Sequence, residues 1–400
     1  MSTSGRPQIA VVLSHPIQHF CPQYESWNQH DEWDIKVFFA SSTGLETYKD
    51  PDYGKEIAWE NVELNFPHTF LNEGEVRPIN PGLDAPNLES HLGDYAPDVV
   101  IVYGYIQKLQ RRALTWANEH KEVRSLMISD SEDRHSRAWY KQIAKRALLP
   151  AFIYHKVDGF LTVGDANEDY HLKYGARPDR LFRLSYPIDR DTYEEAYQNR
   201  EALSVKAREK HDIGKNAFVC NVVGKFVSWK RQRDLIEALR HIGEDDRDVV
   251  AFIIGSGERE DRLKQRAERL RGNRVVFPGF VQPDALPMYY AASDAYVHPS
   301  SSEPHSVAIS EAIYMGCPVV LSDQCGSYGP NDDVQPGRNG LVYECGNTAA
   351  LADKIRRVAR NPILQNRFSE SSRHFAVQAQ QKSHGEGLRT ALTGIGLLGT

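Results

Sequence analysis

Long apolar runs are absent from this sequence of 400 residues. The longest near the amino terminus, Ile9 to Leu13, is too short for the apolar core of a secretory signal, so none is expected. No stretch approaches the roughly 20 apolar residues that a membrane-crossing helix needs. Positive charge is not in excess either. Lys and Arg number 48 against 54 Asp and Glu, a net charge of −6, which argues against nucleic-acid binding, because a phosphate backbone is held by clustered cations. Cysteine is sparse: Cys21, Cys220, Cys317, Cys325 and Cys345 are odd in number and form no CxxC pair. Such a set fits a reducing compartment and argues against a thiolate metal site. Short repeats and low-complexity tracts are also missing. The expectation is a cytoplasmic chain with no nucleic-acid partner, which works either free or peripherally at the inner face of a membrane.

What is present is ordinary globular composition, 40% hydrophobic and 26% charged, in a chain long enough for two cores. Short β-branched runs alternate with helix-period segments. In the first half the runs are Ile9–Leu13, Ile35–Phe39, Val99–Tyr103, Ser125–Ile128 and Phe160–Val163; in the second they are Phe218–Val223, Val249–Ile254, Val275–Phe277, Ala295–His298 and Pro318–Leu321. Strands buried on both faces and separated by helices predict parallel, doubly wound α/β sheets. The predicted organisation is a domain over 1–188, a polar linker with a helix over 189–215, a second domain over 216–380, and a terminal segment 381–400 that packs back on the first domain.

Ligands of an open parallel sheet bind beyond the carboxyl ends of its strands, and in the second half those positions are chemically loaded. The run ending at Val223 continues into Gly224, Lys225 and, a few residues on, Lys230. A glycine with two cations suits a diphosphate clamp; a solvated basic loop is the alternative. Gly255-Ser256-Gly257 is a fragment of a phosphate-binding turn that lacks its third glycine. The densest segment runs from Ser302 through Glu303, Pro304, His305, Ser306 and Val307 to Glu311, and on to Gly316-Cys317-Pro318-Val319-Val320. A helix is predicted from near His305 to just before Gly316. Its first amides, around Ser306 and Val307, suit an anionic phosphate, and Glu303 and Glu311 straddle its start. Each glutamate taken alone reads as a surface carboxylate.

The pattern E-x7-E followed by alanine and then G-x-P-V-V resembles the large retaining glycosyltransferase family numbered 4, which has the GT-B fold of two Rossmann-like domains facing a central cleft. The resemblance covers roughly residues 216–380 and includes Lys225 and Lys230, Phe277-Pro278-Gly279-Phe280-Val281, and Asn339-Gly340-Leu341-Val342. It implies a retaining, hexosyltransferase-type enzyme that moves a sugar from a nucleoside diphosphate, most commonly UDP, to a glycan, lipid-linked or small-molecule acceptor. It further implies that Lys225, Lys230 and Glu303 serve turnover and that Glu311 binds ribose. Gly224, Phe280, Val281, Ser306 and Val307 would complete the donor site, and neither a cofactor nor a metal is called for. An epimerase of the same fold and a non-catalytic nucleotide-sugar binder are the alternatives. Two positions depart from the pattern: Ser306 stands where many relatives carry glycine, and Gly104-Tyr105 stands where many carry histidine.

The first half offers fewer chemical groups. After the first strand come His15, Gln18 and His19, placed to contact phosphate or acceptor, or else to satisfy backbone. Tyr105 and Asp130 follow later strands; Asp130 lies in the acidic stretch 129–134, read as a polar loop orienting an acceptor hydroxyl rather than as a metal site. From Arg134 to Lys156 there are six Lys or Arg and no acid. Arg137, Lys141 and Lys145 form a stripe there opposite Trp139, Ile143 and Ala147. That helix either rests on anionic lipid or covers a sheet with its apolar face inward.

Overall fold

The computed structural model describes residues 5–45, 48–49, 56–57, 63–134, 139–242 and 248–399. It divides into two compact units: one holds Met1–Tyr48, Ala58–Pro187 and Ala379–Thr400, the other Lys49–Ile57 and Ile188–Gln378. In chain order the strands are β1 (Gln8–Leu13), β2 (Asp34–Phe39), β3 (Tyr48–Lys49), β4 (Glu56–Ile57), β5 (His68–Phe70), β6 (Val99–Tyr103), β7 (Arg124–Ser129), β8 (Gly159–Thr162), β9 (Leu181–Arg183), β10 (Phe218–Val223), β11 (Val249–Ile254), β12 (Arg274–Gly279), β13 (Ala295–His298), β14 (Val319–Ser322) and β15 (Gly340–Tyr343). The β-branched runs read from the sequence coincide with these strands; β3 and β4 form a separate two-stranded pair.

The first unit carries a seven-stranded sheet ordered β5-β2-β1-β6-β7-β8-β9, with every described pairing parallel. Its chain order reverses between β1 and β6. Terminal residues complete this unit: Trp27 Nε1 and Gln23 Nε2 each donate to the carbonyl of Ser383 at 2.9 Å. Trp27 is wholly buried, so the tail fills a core position of the first unit.

The second unit has a six-stranded parallel sheet ordered β12-β11-β10-β13-β14-β15, reversing between β10 and β13. Apart from the edge strand β12, which is half-exposed, its strands are buried on both faces. Val219 packs into one apolar cluster, while Phe218, Cys220 and Val222 pack into another on the opposite side. This two-sided burial is why the strands read as continuous apolar runs.

Two sequence expectations are corrected here. Residues 189–215 are not a linker. They form helices Arg190–Gln198 and Arg200–Lys210, which sink Tyr193, Ala196 and Ala207 into the second unit's core. The polar composition hid this because a narrow stripe of small and aromatic residues suffices to dock a helix whose other faces are charged. The helix Trp139–Phe152 does not cover a sheet with its apolar face. Trp139 and Ile143 point outward, Leu149 is its buried anchor, and Lys145 turns inward onto the Tyr170 hydroxyl at 3.0 Å. Arg137 of the expected basic stripe lies outside the described residues. Among those described, no helix is long and apolar enough to cross a membrane.

Replacing Trp27 with Phe removes a buried donor and part of a filled volume, and is expected to lower the unfolding free energy by about 1–3 kcal/mol. Urea denaturation checks the loss, and hydrogen exchange should show it concentrated in residues after Ala379.

Candidate functional site

The second unit's site grows from its strand reversal. β10 and β13 lie side by side, and loops leaving their carboxyl ends diverge to opposite sides, which opens a crevice at the sheet's edge. The β10 loop begins at Gly224, whose amide donates to the Ile254 carbonyl at 3.0 Å. Gly255 is obligatory beside it: at φ +136°, a Cβ there would lie 2.1 Å from the Gly224 carbonyl oxygen. Phe226, fully buried, donates through its amide to Ser256 at 2.8 Å. The Gly255-Ser256-Gly257 fragment is therefore a backbone packing device that sets the β10 loop.

That loop is also tied to the one leaving β13, because the Ser301 amide donates to the Trp229 carbonyl at 2.7 Å. The tie brings Lys230 against Glu303, and the Lys230 ammonium donates to Glu303 Oε2. Ser300 Oγ donates to the same oxygen at 3.2 Å, and His298 Nε2 stands 3.4 Å from it. Tyr296 lies 3.1 Å from His298 Nδ1. A tautomer with its proton on Nε2 suits both contacts of the ring. Burial lowers the His298 pKa against the raising effect of the neighbouring Glu303. Burial works against a charge on Glu303, but Lys230 and His298 outweigh it and bring its pKa down to about 2. The pair is a buried, ionised clamp.

Glu311 is the opposite case. It lies on the helix Val307–Tyr314, and Tyr290 donates to its Oε2 at 2.8 Å. It keeps some accessible surface, yet the protein packed around its carboxyl pushes its pKa up to about 7 against the Tyr290 hydrogen bond, with Asp189 adding to the rise. Two glutamates eight residues apart thus stand in opposite electrostatic settings.

The helix start differs from expectation. Ser306 is the residue before the first turn, and its amide donates to Ser327 Oγ at 2.9 Å. It is committed within the protein and is not offered to a ligand. Val307 opens the helix, so its amide has no intrahelical acceptor. The geometry below is set by residues that sequence reading missed. His305 Nε2 lies 3.2 Å from Asp333 Oδ2, to which Ser310 Oγ donates at 2.6 Å. Together with Asp332, the polar atoms of His305 and Asp333 lie within 4.8 Å of one another. Asn339 pins the same turn by donating to the Asp333 carbonyl at 2.9 Å and accepting from the Gln335 amide at 2.7 Å. The Asn339-Gly340 pair is therefore structural. Asp332 and Asp333 sit in a turn-rich stretch far along the chain, and no local pattern links them to His305.

The other residues expected at a donor site lie on the loops after β10 and β12. Lys225 is held through its carbonyl, which accepts from Gln232 Nε2 at 2.8 Å. Phe280 and Val281 follow β12, two strands from the reversal, and are half-buried, with Val281 resting on the core.

In the first unit, the loops leaving β1, β6 and β7 enclose a cavity of about 280 Å³ at the other strand reversal. Tyr105 and Asp130 line it beside Leu13, Ile17, Ile79 and Tyr103. His15, Gln18 and His19 do not line it. His15 Nδ1 lies 2.8 Å from Ser14 Oγ, and His19 stacks on Tyr186 at 5.5 Å. Burial brings both histidines down to about 4, His15 adding to the effect on His19. Both are neutral near pH 7 and offer no charge to a phosphate.

Two doubly wound parallel units, the second with a cationic clamp and a helix start at its strand reversal, define an α/β architecture of the GT-B class. Comparisons with known proteins agree. The family model described as glycosyl transferases group 1 matches residues 205–375, which lie in the second unit. The chain is 34% identical over 171 residues to the lipopolysaccharide core biosynthesis glycosyltransferase LpsE of Rhizobium meliloti, 42% of this chain and 48% of that protein. It is 23% identical over 292 residues to the lipopolysaccharide glucosyltransferase WaaG of Escherichia coli, 70% of this chain and 67% of that one. The chain spans about half the length of the first of the curated relatives it matches. Among solved structures, a glycosyltransferase from Rickettsia africae superposes with a TM-score of 0.73 at 15% identity, over 98% of this chain and 99% of that one. Anabaena HepE in complex with UDP gives 0.68 at 19% identity, over 96% and 99%. At such identities these structures share the fold.

Removing one member of a buried ion pair strands the other, so Lys230→Met is expected to cost roughly 3 kcal/mol of stability. The double variant with Glu303→Gln should recover most of that loss in urea titrations at neutral pH. Glu311 follows the reverse pH logic. Its raised pKa means that the folded protein holds a proton which the unfolded chain releases, so wild-type stability falls as pH rises from about 4.5 to about 7. Glu311→Gln should therefore gain on wild type across that window and run parallel to it above, as measured by thermal unfolding against pH.

Proposed function

We propose that this chain transfers a sugar from a nucleoside diphosphate sugar to an acceptor, with retention of anomeric configuration. The observation that carries the reading is the Lys230–Glu303 clamp at the reversal between β10 and β13, next to the helix that bears Glu311. Breaking a sugar–phosphate bond places negative charge on the departing diphosphate. An ammonium has three donors, and Glu303 engages Lys230 from one side only, which leaves donors for phosphate oxygens. The Val307 amide adds a second, oriented dipole. Glu303 is kept ionised and fixed, so it accepts hydroxyls of the transferred sugar and does not serve as a proton donor. Glu311, with Tyr290 on one oxygen, accepts from the vicinal hydroxyls of a ribose. Phe280 and Val281 supply the half-buried ledge for the base.

UDP is the favoured nucleotide, since the HepE structures hold UDP or UDP-glucose. The reading calls for neither a cofactor nor a metal. Transferase is favoured over epimerase because the matched relatives are named as glycosyltransferases.

A thermal-shift screen of UDP-, GDP- and ADP-sugars tests the reading. UDP-sugars are expected to raise the melting temperature by mass action, and Glu311→Gln to weaken UDP binding by about tenfold, the worth of one good hydrogen bond to a charged group. Incubation with UDP-sugar alone should leave its configuration unchanged apart from slow hydrolysis. Accumulation of an isomeric UDP-sugar would overturn the transferase assignment in favour of the epimerase.

A further inference from the structure

The helix Trp139–Phe152 carries its apolar residues on the wrong side for a protein interior. Tyr140, Ala144, Ala147, Leu148 and Ala151 recur at three- and four-residue spacing and are all exposed. Ile143 is 58% exposed, and Trp139 and Phe152, at its two ends, are 73% and 63% exposed. The inward side is the poorer one, with Leu149 buried and Lys145 held by Tyr170. A helix that covers a core has the reverse arrangement. An apolar face of this size in water carries a continuing hydrophobic cost and marks an interaction surface.

Its borders name the partner. Lys141 and Arg146 are exposed along the apolar face, and no Asp or Glu occurs anywhere from Arg134 to Lys156. The whole chain has a net charge of −6, so this segment runs against the protein's general sign. A bare hydrophobic protein partner would not require an acid-free border. A surface that is anionic at its rim and apolar below it requires both features. We propose that this helix docks in the plane of an anionic lipid bilayer, with Ile143, Leu148 and the Trp139 ring in the acyl boundary and Lys141 and Arg146 at the phosphates. The inference stands apart from the donor reading, because the helix belongs to the first unit and the clamp to the second.

Co-sedimentation of the full chain with phosphatidylglycerol–phosphatidylcholine vesicles, against phosphatidylcholine alone, tests it. Binding is expected only with the anionic vesicles, weakening as salt rises, with a blue shift of tryptophan emission that Trp139→Phe abolishes without abolishing sedimentation. Lys141→Glu/Arg146→Glu and Ile143→Asn/Leu148→Asn should each reduce partitioning by about tenfold while leaving circular dichroism unchanged, since all four side chains are exposed. Equal binding to neutral vesicles, or retention of binding by both double variants, would overturn the proposal. So would a stable dimer in sedimentation velocity that Ile143→Asn/Leu148→Asn dissociates, which would assign the face to a second copy of this chain.

Discussion

The contact on which the second unit's chemistry depends is the ion pair between Lys230 and Glu303. It spans the one place in the sheet where neighbouring strands send their chains in opposite directions, and nothing in the sheet's hydrogen bonding fixes the two departing loops there. The pair does, assisted by the Ser301–Trp229 backbone bond. A buried pair of charges is a poor source of net stability, because desolvation cancels much of the attraction. Its value lies in definition. Ser300, His298 and Lys230 all converge on one carboxylate oxygen, which holds Glu303 in place and favours its ionised form. The glycines behind it serve the same end, since Gly255 permits the close backbone approach that sets the Lys230 loop.

Glu311 shows how fold and function pull apart. A carboxyl with a pKa near 7 is only partly ionised at neutral pH and costs stability as it deprotonates. A protein optimised for stability alone would place an amide there. That a glutamate occupies the position, half-buried and with Tyr290 donating to one oxygen, is what a hydroxyl-binding role would require. The same reasoning does not extend to His305 and Asp333. Their atoms engage each other and Ser310, and they stabilise the turn that carries Asn339.

Much of this was legible in the sequence because the signals were local. Continuous apolar runs gave the strands, and the spacing of Glu303, Glu311 and Gly316 gave the helix between them. Features that depend on contacts across the chain were not. The Ser306 amide was expected to face a ligand, but Ser327, distant in sequence, takes it. Residues 189–215 were too polar to read as core, yet Tyr193 and Ala207 dock them. His15 and His19 had the right location for a phosphate site, but burial and the stacking on Tyr186 leave them uncharged. Periodicity states which residues of a helix share a face and is silent on which face turns inward, so the helix Trp139–Phe152 was readable as amphipathic and unreadable in orientation.

The two strand reversals divide the chemistry. Both units present a crevice at the same topological position, but they line it differently. The second unit places a fixed charge pair, a half-ionised carboxyl and a helix start there. The first encloses a mostly apolar cavity with Tyr105 and Asp130 at its wall, and His15 and His19 lie outside that lining. A diphosphate needs cations and oriented amides and would gain little from the first unit. A neutral hydroxyl compound needs shape, an apolar floor and an acceptor group, and the proposed function assigns it to the first unit's cavity. On the proposed reading, donor and acceptor are therefore sorted by electrostatics before any contact specific to either sugar is made.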